Sequence, residues 1–149
     1  LAMASTAAEP DVADVASLGP GRREARERAL ELLYESEARE LTAEQLFDGL
    51  LLAPNAYTTA IVEGVEAQRV EIDQMIDEYA QGWTVDRLPN VDRAILRVAV
   101  WELIAQPDVP PAVVMDEAVE LAKEYSTEKS SSFVNGVLDS IANQVRPAS

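Results

Sequence analysis

This sequence predicts an all-α chain of two small packed helical bundles, about seven helices in all, and three observations carry that expectation. Of the 149 residues 48% are hydrophobic but only 5% aromatic, a balance rich in Ala, Leu and Val that suits helices packed on helices better than a β-sandwich. Apolar residues recur at three- and four-residue spacing in one segment after another. No segment keeps a period-two alternation, and Asn135-Gly136 lies inside a helical pattern instead of joining two strand-like runs.

Residues 1 to 21 mix Ala, Ser, Pro, Gly and Asp without apolar periodicity, so they read as a disordered acidic leader ending at Gly19, Pro20 and Gly21. From Arg22 to Arg39, Ala29, Leu30, Leu33, Tyr34 and Ala38 mark an amphipathic helix with its arginines at the N-terminal end. Thr42 and Gln45 form a capping box for a short helix carrying Leu46, Phe47, Leu50 and Leu51, stopped by Pro54. One long helix is expected over Tyr57–Ala80, with Gly64 as a close-packing point and Gly82 as its C-terminal cap. A turn spans Trp83 to Pro89. Asn90 caps a helix reaching Ala105, with Val91, Ala94, Ile95, Val98 and Trp101 as its buried stripe, before Pro107, Pro110 and Pro111 enforce a loop. Helices over Ala112–Tyr125 and Ser132–Val145 complete the set. The length fits a single domain with one sizeable core, placed over residues 22 to 146.

Composition narrows the chemistry. Without cysteine there are no disulfides, thiolate nucleophiles or zinc thiolate sites, and without histidine there are no imidazole metal sites or Ser/His/Asp triads. No catalysis, metal or cofactor is expected. No apolar run approaches the roughly 20 residues of a membrane span, and the N-terminus lacks a secretory signal, so a soluble cytoplasmic protein with no membrane partner is expected.

The net charge of −15 divides unevenly: residues 1 to 21 carry −3, residues 22 to 28 carry +2 from four Arg and two Glu, and the rest carry −14. Since phosphate binding draws its affinity from Lys and Arg, any nucleic-acid contact belongs to that one basic segment, while the acidic body repels phosphate.

Four places are candidates for function. Arg22, Arg23 and Arg26 lie within about one turn of a helix start, where guanidinium forks and backbone amides suit phosphates; pairing with Glu24, Glu27 and Glu31 on a solvated face is the plainer account. In the second, Phe133 offers a stacking ring while Lys129, Ser130 and Asn135 offer polar groups for unpaired bases, although Phe133, Val134, Val137 and Leu138 also make a buried helix face. Third, the acidic stretch Asp86 to Asp92, beside Leu and Trp, can receive a basic protein, while Asp92 alone can be an early-turn carboxylate favoured by the helix dipole. Last comes the row Glu117, Glu120 and Glu124, which shares one helix face and reads as solvated surface because no histidine accompanies it.

Three ordered blocks resemble the bacterial antitermination factor family NusB. They are Arg22–Tyr34; Val91–Leu103; and Asp116, Glu117, Ala118, Leu121, Ala122 and Lys123 followed by Phe133, Val134, Asn135, Gly136, Val137, Leu138 and Asp139. Glu24, Lys129 and Ser132 differ from residues common at those family positions. The resemblance implies an all-helical RNA-binding protein whose Arg22, Arg23 and Arg26 contact boxA RNA, with Phe133 and its neighbours on an adjoining RNA edge. It further implies that the neighbourhood of Asp86 and Asp92 meets NusE, a small-subunit ribosomal protein, and that the complex acts indirectly on the RNA polymerase elongation complex in ribosomal RNA operons. A homodimer closed by an apolar helix face stays open.

Two other readings compete. One is the NusB-like domain of certain ribosomal RNA methyltransferases, for whose catalytic fold the 149 residues leave no room. The other is a non-catalytic protein-interaction module whose arginines form only surface pairs.

Overall fold

The computed structural model describes residues 20–147, so the leader expected over residues 1 to 21 lies outside them except for Pro20 and Gly21, which open the first helix. The described residues form seven α-helices and no strand: α1 Pro20–Arg39, α2 Ala43–Asp48, α3 Ala56–Ala67, α4 Arg69–Tyr79, α5 Asn90–Ala105, α6 Pro111–Tyr125 and α7 Glu128–Val145. A short 3-10 turn, Val85–Arg87, precedes α5.

Local signals explain most of the boundaries. Thr42 starts α2 with the expected capping box, its hydroxyl accepting from the Gln45 amide at 3.1 Å while Gln45 accepts from the Thr42 amide at 2.9 Å. Asn55 caps α3 through the Thr58 amide at 2.8 Å. Pro111 opens α6, where its missing N–H is no loss. Thr127 caps α7 by accepting from the Ser130 amide, so that helix begins four residues before the expected Ser132.

Other expectations change. The short helix α2 ends at Asp48 with Gly49 as its cap, so Leu50 and Leu51 lie outside it and Pro54 is not its stop. The long helix over 57–80 is two, parted at Gln68, whose φ of −112° and ψ of 23° bend the chain while the ladder bonds Gln68 to Gly64 and Ile72 to Gln68 persist. The bend lets α3 pack on α1 and α5, and α4 on α5 and α7. Asn90 does not cap α5, because its side-chain oxygen accepts from Arg93 instead. Gly82 sits beyond the end of α4 at φ +90°, following Gln81 at φ 45°, so a pair of left-handed residues turns the chain toward Trp83.

α5 is the hub. It packs against α1, α3, α4, α6 and α7, with α1 to α3 forming one bundle and α4, α6 and α7 gathered on the other side. Every residue from Asp92 to Leu103 is buried, so the apolar stripe Ala94, Ile95, Val98 and Trp101 accounts for only part of the helix. The polar residues between are enclosed too, and each has a partner, as burial of polar groups requires. Arg93 donates to the Val85 and Leu88 carbonyls at 3.0 and 2.9 Å and pairs with Glu37. Arg97 forks onto Asp73 at 2.9 Å twice.

The last turn of α5 is closed from outside the helix. The Arg146 guanidinium, just past α7, donates to the carbonyls of Leu103 at 2.8 Å, Gln106 at 2.7 Å, Val109 at 2.9 Å and Glu102 at 3.2 Å. The helix end thereby gains acceptors' partners that its own backbone cannot supply. Among the described residues no helix is long and apolar enough to cross a membrane.

Candidate nucleic-acid interface

The three arginines of α1 have different surroundings. Arg22 and Arg26 are only 2% and 3% exposed. Arg26 forks onto Glu102 of α5 at 2.7 and 2.9 Å, and the Tyr57 hydroxyl of α3 donates to the same carboxylate at 2.5 Å. Arg22 lies 4.1 Å over the Tyr57 ring, a cation on the ring's negative face. Burial, then the Glu102 charge and hydrogen bond, push the Tyr57 hydroxyl far above its ordinary pKa, while burial lowers that of the Arg22 guanidinium. Tyr57 also meets Trp101 edge-on at 6.2 Å.

Arg23 alone of the three reaches solvent, and it too is engaged. Its side chain is 60% exposed and forks onto Glu117 of α6 at 3.0 and 2.7 Å. The hydrogen bond from Arg23 holds the Glu117 carboxyl below its usual range, against the opposing effect of burial. This fork onto a carboxylate uses the same paired N–H donors that a guanidinium can offer to a phosphate. Glu117 therefore leaves the row that was expected to be solvated surface, whereas Glu120 and Glu124 stay exposed. Arg28 pairs along its own helix with Glu31 at 3.1 Å.

The second candidate segment surrounds Asp92. This carboxylate, 3% exposed, accepts from the Ser126 hydroxyl at 2.7 Å and from the Ser130 hydroxyl at 2.8 Å. It thus ties the first turn of α5 to the link between α6 and α7. Ser130 faces inward on this clasp, Lys129 and Asn135 are exposed, and Phe133 is half-buried against the core. An open groove of about 240 Å³ runs alongside, lined by Trp83, Leu88 and Pro89 on one side and by Thr127, Lys129 and Phe133 on the other, with Asp92 and Ser130 also in its wall. Asp86, on the 3-10 turn, is exposed.

The expected RNA residues are thus not one patch. Lys129, Ser130 and Phe133 join Asp92 at the N-terminal end of α5, while Arg26 reaches Glu102 ten residues further along that helix, a rise of about 15 Å. Sequence reasoning missed Tyr57 and Glu102, and it placed Trp83 beside the acidic stretch and not with Phe133. A lone Glu between Trp101 and Leu103 in a strongly apolar helix was the available signal for Glu102. Among the described residues no cluster of acidic side chains is arranged to hold a metal ion.

The Asp92 clasp makes a direct prediction. Asp92→Ala should cost about 1–3 kcal/mol, because two hydroxyls lose their acceptor, and should speed hydrogen exchange at the amides of residues 127 to 131. Exchange there at the parent rate would show that the clasp does not hold the start of α7.

Comparison with known proteins gives concordant results. Residues 23–143 match the sequence profile of the NusB family. NusB from T. maritima is 35% identical, with 85% of this chain and 92% of that chain covered and a TM-score of 0.75. NusB from Aquifex aeolicus is 32% identical over 88% of this chain and 95% of its own, with a TM-score of 0.70. A structure of the antitermination factors NusB and NusE in complex with double-stranded RNA contains a chain 32% identical to this one, covering 83% of this chain and 97% of that chain, with a TM-score of 0.73.

Proposed function

The chain belongs to the NusB family, and from that premise we propose that it is a transcription antitermination factor that binds boxA RNA together with NusE and supports processive transcription of ribosomal RNA operons. The observation that carries this is the similarity, over 83% of this chain and 97% of the other, to a protein that forms a complex with NusE and double-stranded RNA. Residues 22 to 146 act as one folded unit in this reading. It is a binding protein and no enzyme, consistent with a sequence free of His and Cys, and its work on nascent transcripts places it in the cytoplasm.

The arginines divide the labour. Arg23 contacts phosphate directly by exchanging its Glu117 partner for the ligand, and the buried pair Arg22 and Arg26 fix the end of α1 from which it projects. Exposed Lys129 and Asn135, with the half-buried Phe133, supply the second RNA edge, and Ser130 fixes that edge through Asp92. Asp86, on the acidic turn beside Trp83, is where basic NusE is steered. One turn beyond Arg23 the acidic charges of Glu124 and Glu31, after burial, raise the Glu27 carboxyl, and the same charges repel phosphate from that stretch of α1. A net charge of −15 then confines RNA to a small, oriented footprint.

Fluorescence anisotropy with a boxA-like RNA and a scrambled control, with and without NusE at fixed salt, tests this directly. Tighter boxA binding that NusE strengthens is expected. Arg23→Ala should weaken it and flatten the dependence of log affinity on log salt by about 0.7, the contribution of one single-strand phosphate contact. Equal weak binding to both RNAs, unmoved by Arg23→Ala, would leave a protein-interaction module in its place.

A further inference from the structure

We propose that the groove between the Trp83–Pro89 turn and the start of α7 is a slot for one unstacked nucleobase, with Trp83 and Phe133 as its two aromatic lining residues. This deepens the RNA reading above and rests on it, adding a residue and a ligand class to the edge that carries Lys129.

Trp83 is 50% exposed, and an indole left half in water gains when a planar apolar surface covers it. The chain is arranged to put it there. Gln81 and Gly82 both take left-handed backbone conformations immediately before it, and its amide donates back to the Ala80 carbonyl at 3.2 Å. Non-glycine residues adopt that conformation at a cost, and such strain gathers where a side chain must be aimed. Phe133 comes to the same groove from α7, on a distant segment of the chain.

Size and charge select the occupant. At about 240 Å³ the groove falls below the roughly 300 Å³ at which sites for drug-sized ligands begin, so it is sized for a single ring system. Of its two titratable members, Lys129 is exposed, while the Asp92 carboxylate is covered by the Ser126 and Ser130 hydroxyls. A basic peptide would meet the ammonium first and find the carboxylate already engaged. A nucleotide is complementary instead, with its base against the rings, its phosphate toward Lys129 and its polar edge toward the Thr127 and Ser130 hydroxyls.

The test uses the whole chain with single-stranded boxA-like RNA, read by anisotropy and by tryptophan fluorescence. The only other tryptophan, Trp101, is 5% exposed, so quenching on RNA addition reports Trp83. The parent should be quenched. Trp83→Ala should bind RNA about fivefold or more weakly, the loss expected for one stacked base, with an unchanged salt slope, and Trp83→Phe should recover most of the affinity. Parent RNA binding that Trp83→Ala leaves intact would overturn the slot while sparing the antitermination reading, as would a defect confined to NusE binding. A parent that binds no RNA overturns both.

Discussion

Glu102→Ala is expected to destabilise the protein by about 3–5 kcal/mol, the cost of leaving one member of a buried ion pair without its counter-charge. The carboxylate is 1% exposed and receives both Arg26 and Tyr57. Its loss leaves a guanidinium that is 3% exposed with Glu117 at 3.8 Å as its remaining counter-charge, and takes the acceptor from a phenol that is 4% exposed. Glu102→Gln separates charge from shape. The amide oxygen can still accept one bond, so its cost should fall between that of Ala and the parent. Urea unfolding, followed by the transition midpoint at constant slope, measures both. A loss under about 1 kcal/mol for Glu102→Ala, the range of exposed pairs, would show that this network does not hold the arginine end of α1. Because Arg23 projects from that same turn, RNA affinity should drop with stability in these variants.

Gly64→Ala should also be strongly destabilising, although alanine is the better helix former by about 1 kcal/mol. A Cβ at this position of α3 falls inside the Trp101 indole, against Nε1, and only 2.8 Å from Cδ1. The indole has nowhere to go, since it is 5% exposed and held edge-on by Tyr57. Overpacking of this kind typically costs about 1–3 kcal/mol, which outweighs the propensity gain. Trp101→Leu added to Gly64→Ala should recover part of the loss, so a double-mutant cycle would show strong coupling between the two sites. An alanine variant as stable as the parent, or more so, would mean that α3 and α5 are further apart than described.

The helices were legible because their signals are local. A capping box at Thr42 and Gln45, prolines at 107, 110 and 111, and apolar spacing of three and four residues all act within a few residues, and the backbone obeys them; Pro54 is not what stops α2, which ends earlier at Asp48 under the Gly49 cap. The bend at Gln68 escaped notice because neither Pro nor Gly marks it, and it answers to what α3 and α4 each pack against. The early start of α7 turned on which hydroxyl in the run from Ser126 to Ser132 would cap, and Thr127 does.

The site was harder to read for the same reason. Glu102 has partners 76 and 45 residues away, and Asp92 has partners 34 and 38 residues away. No window on the sequence distinguishes Arg22 and Arg26, which turn inward, from Arg23, which does not. An arginine cluster at a helix start announces a cationic end but not which members face solvent. Only the buried setting of α5 decides that, and it arises from packing against five other helices.

The Arg146 clamp bears on the order in which the molecule can be completed on the ribosome. Synthesis runs from the N-terminus, so α5 emerges whole well before Arg146 does, and until then the carbonyls of Leu103 and Val109 lack the guanidinium that reaches both. Helices α1 to α5 can gather early around their shared apolar surface, but the far end of the hub is finished only by a residue translated some forty positions later. A nascent chain that holds α5 but not yet Arg146 therefore lacks the side chain that joins the last turn of the hub to the loop at Val109.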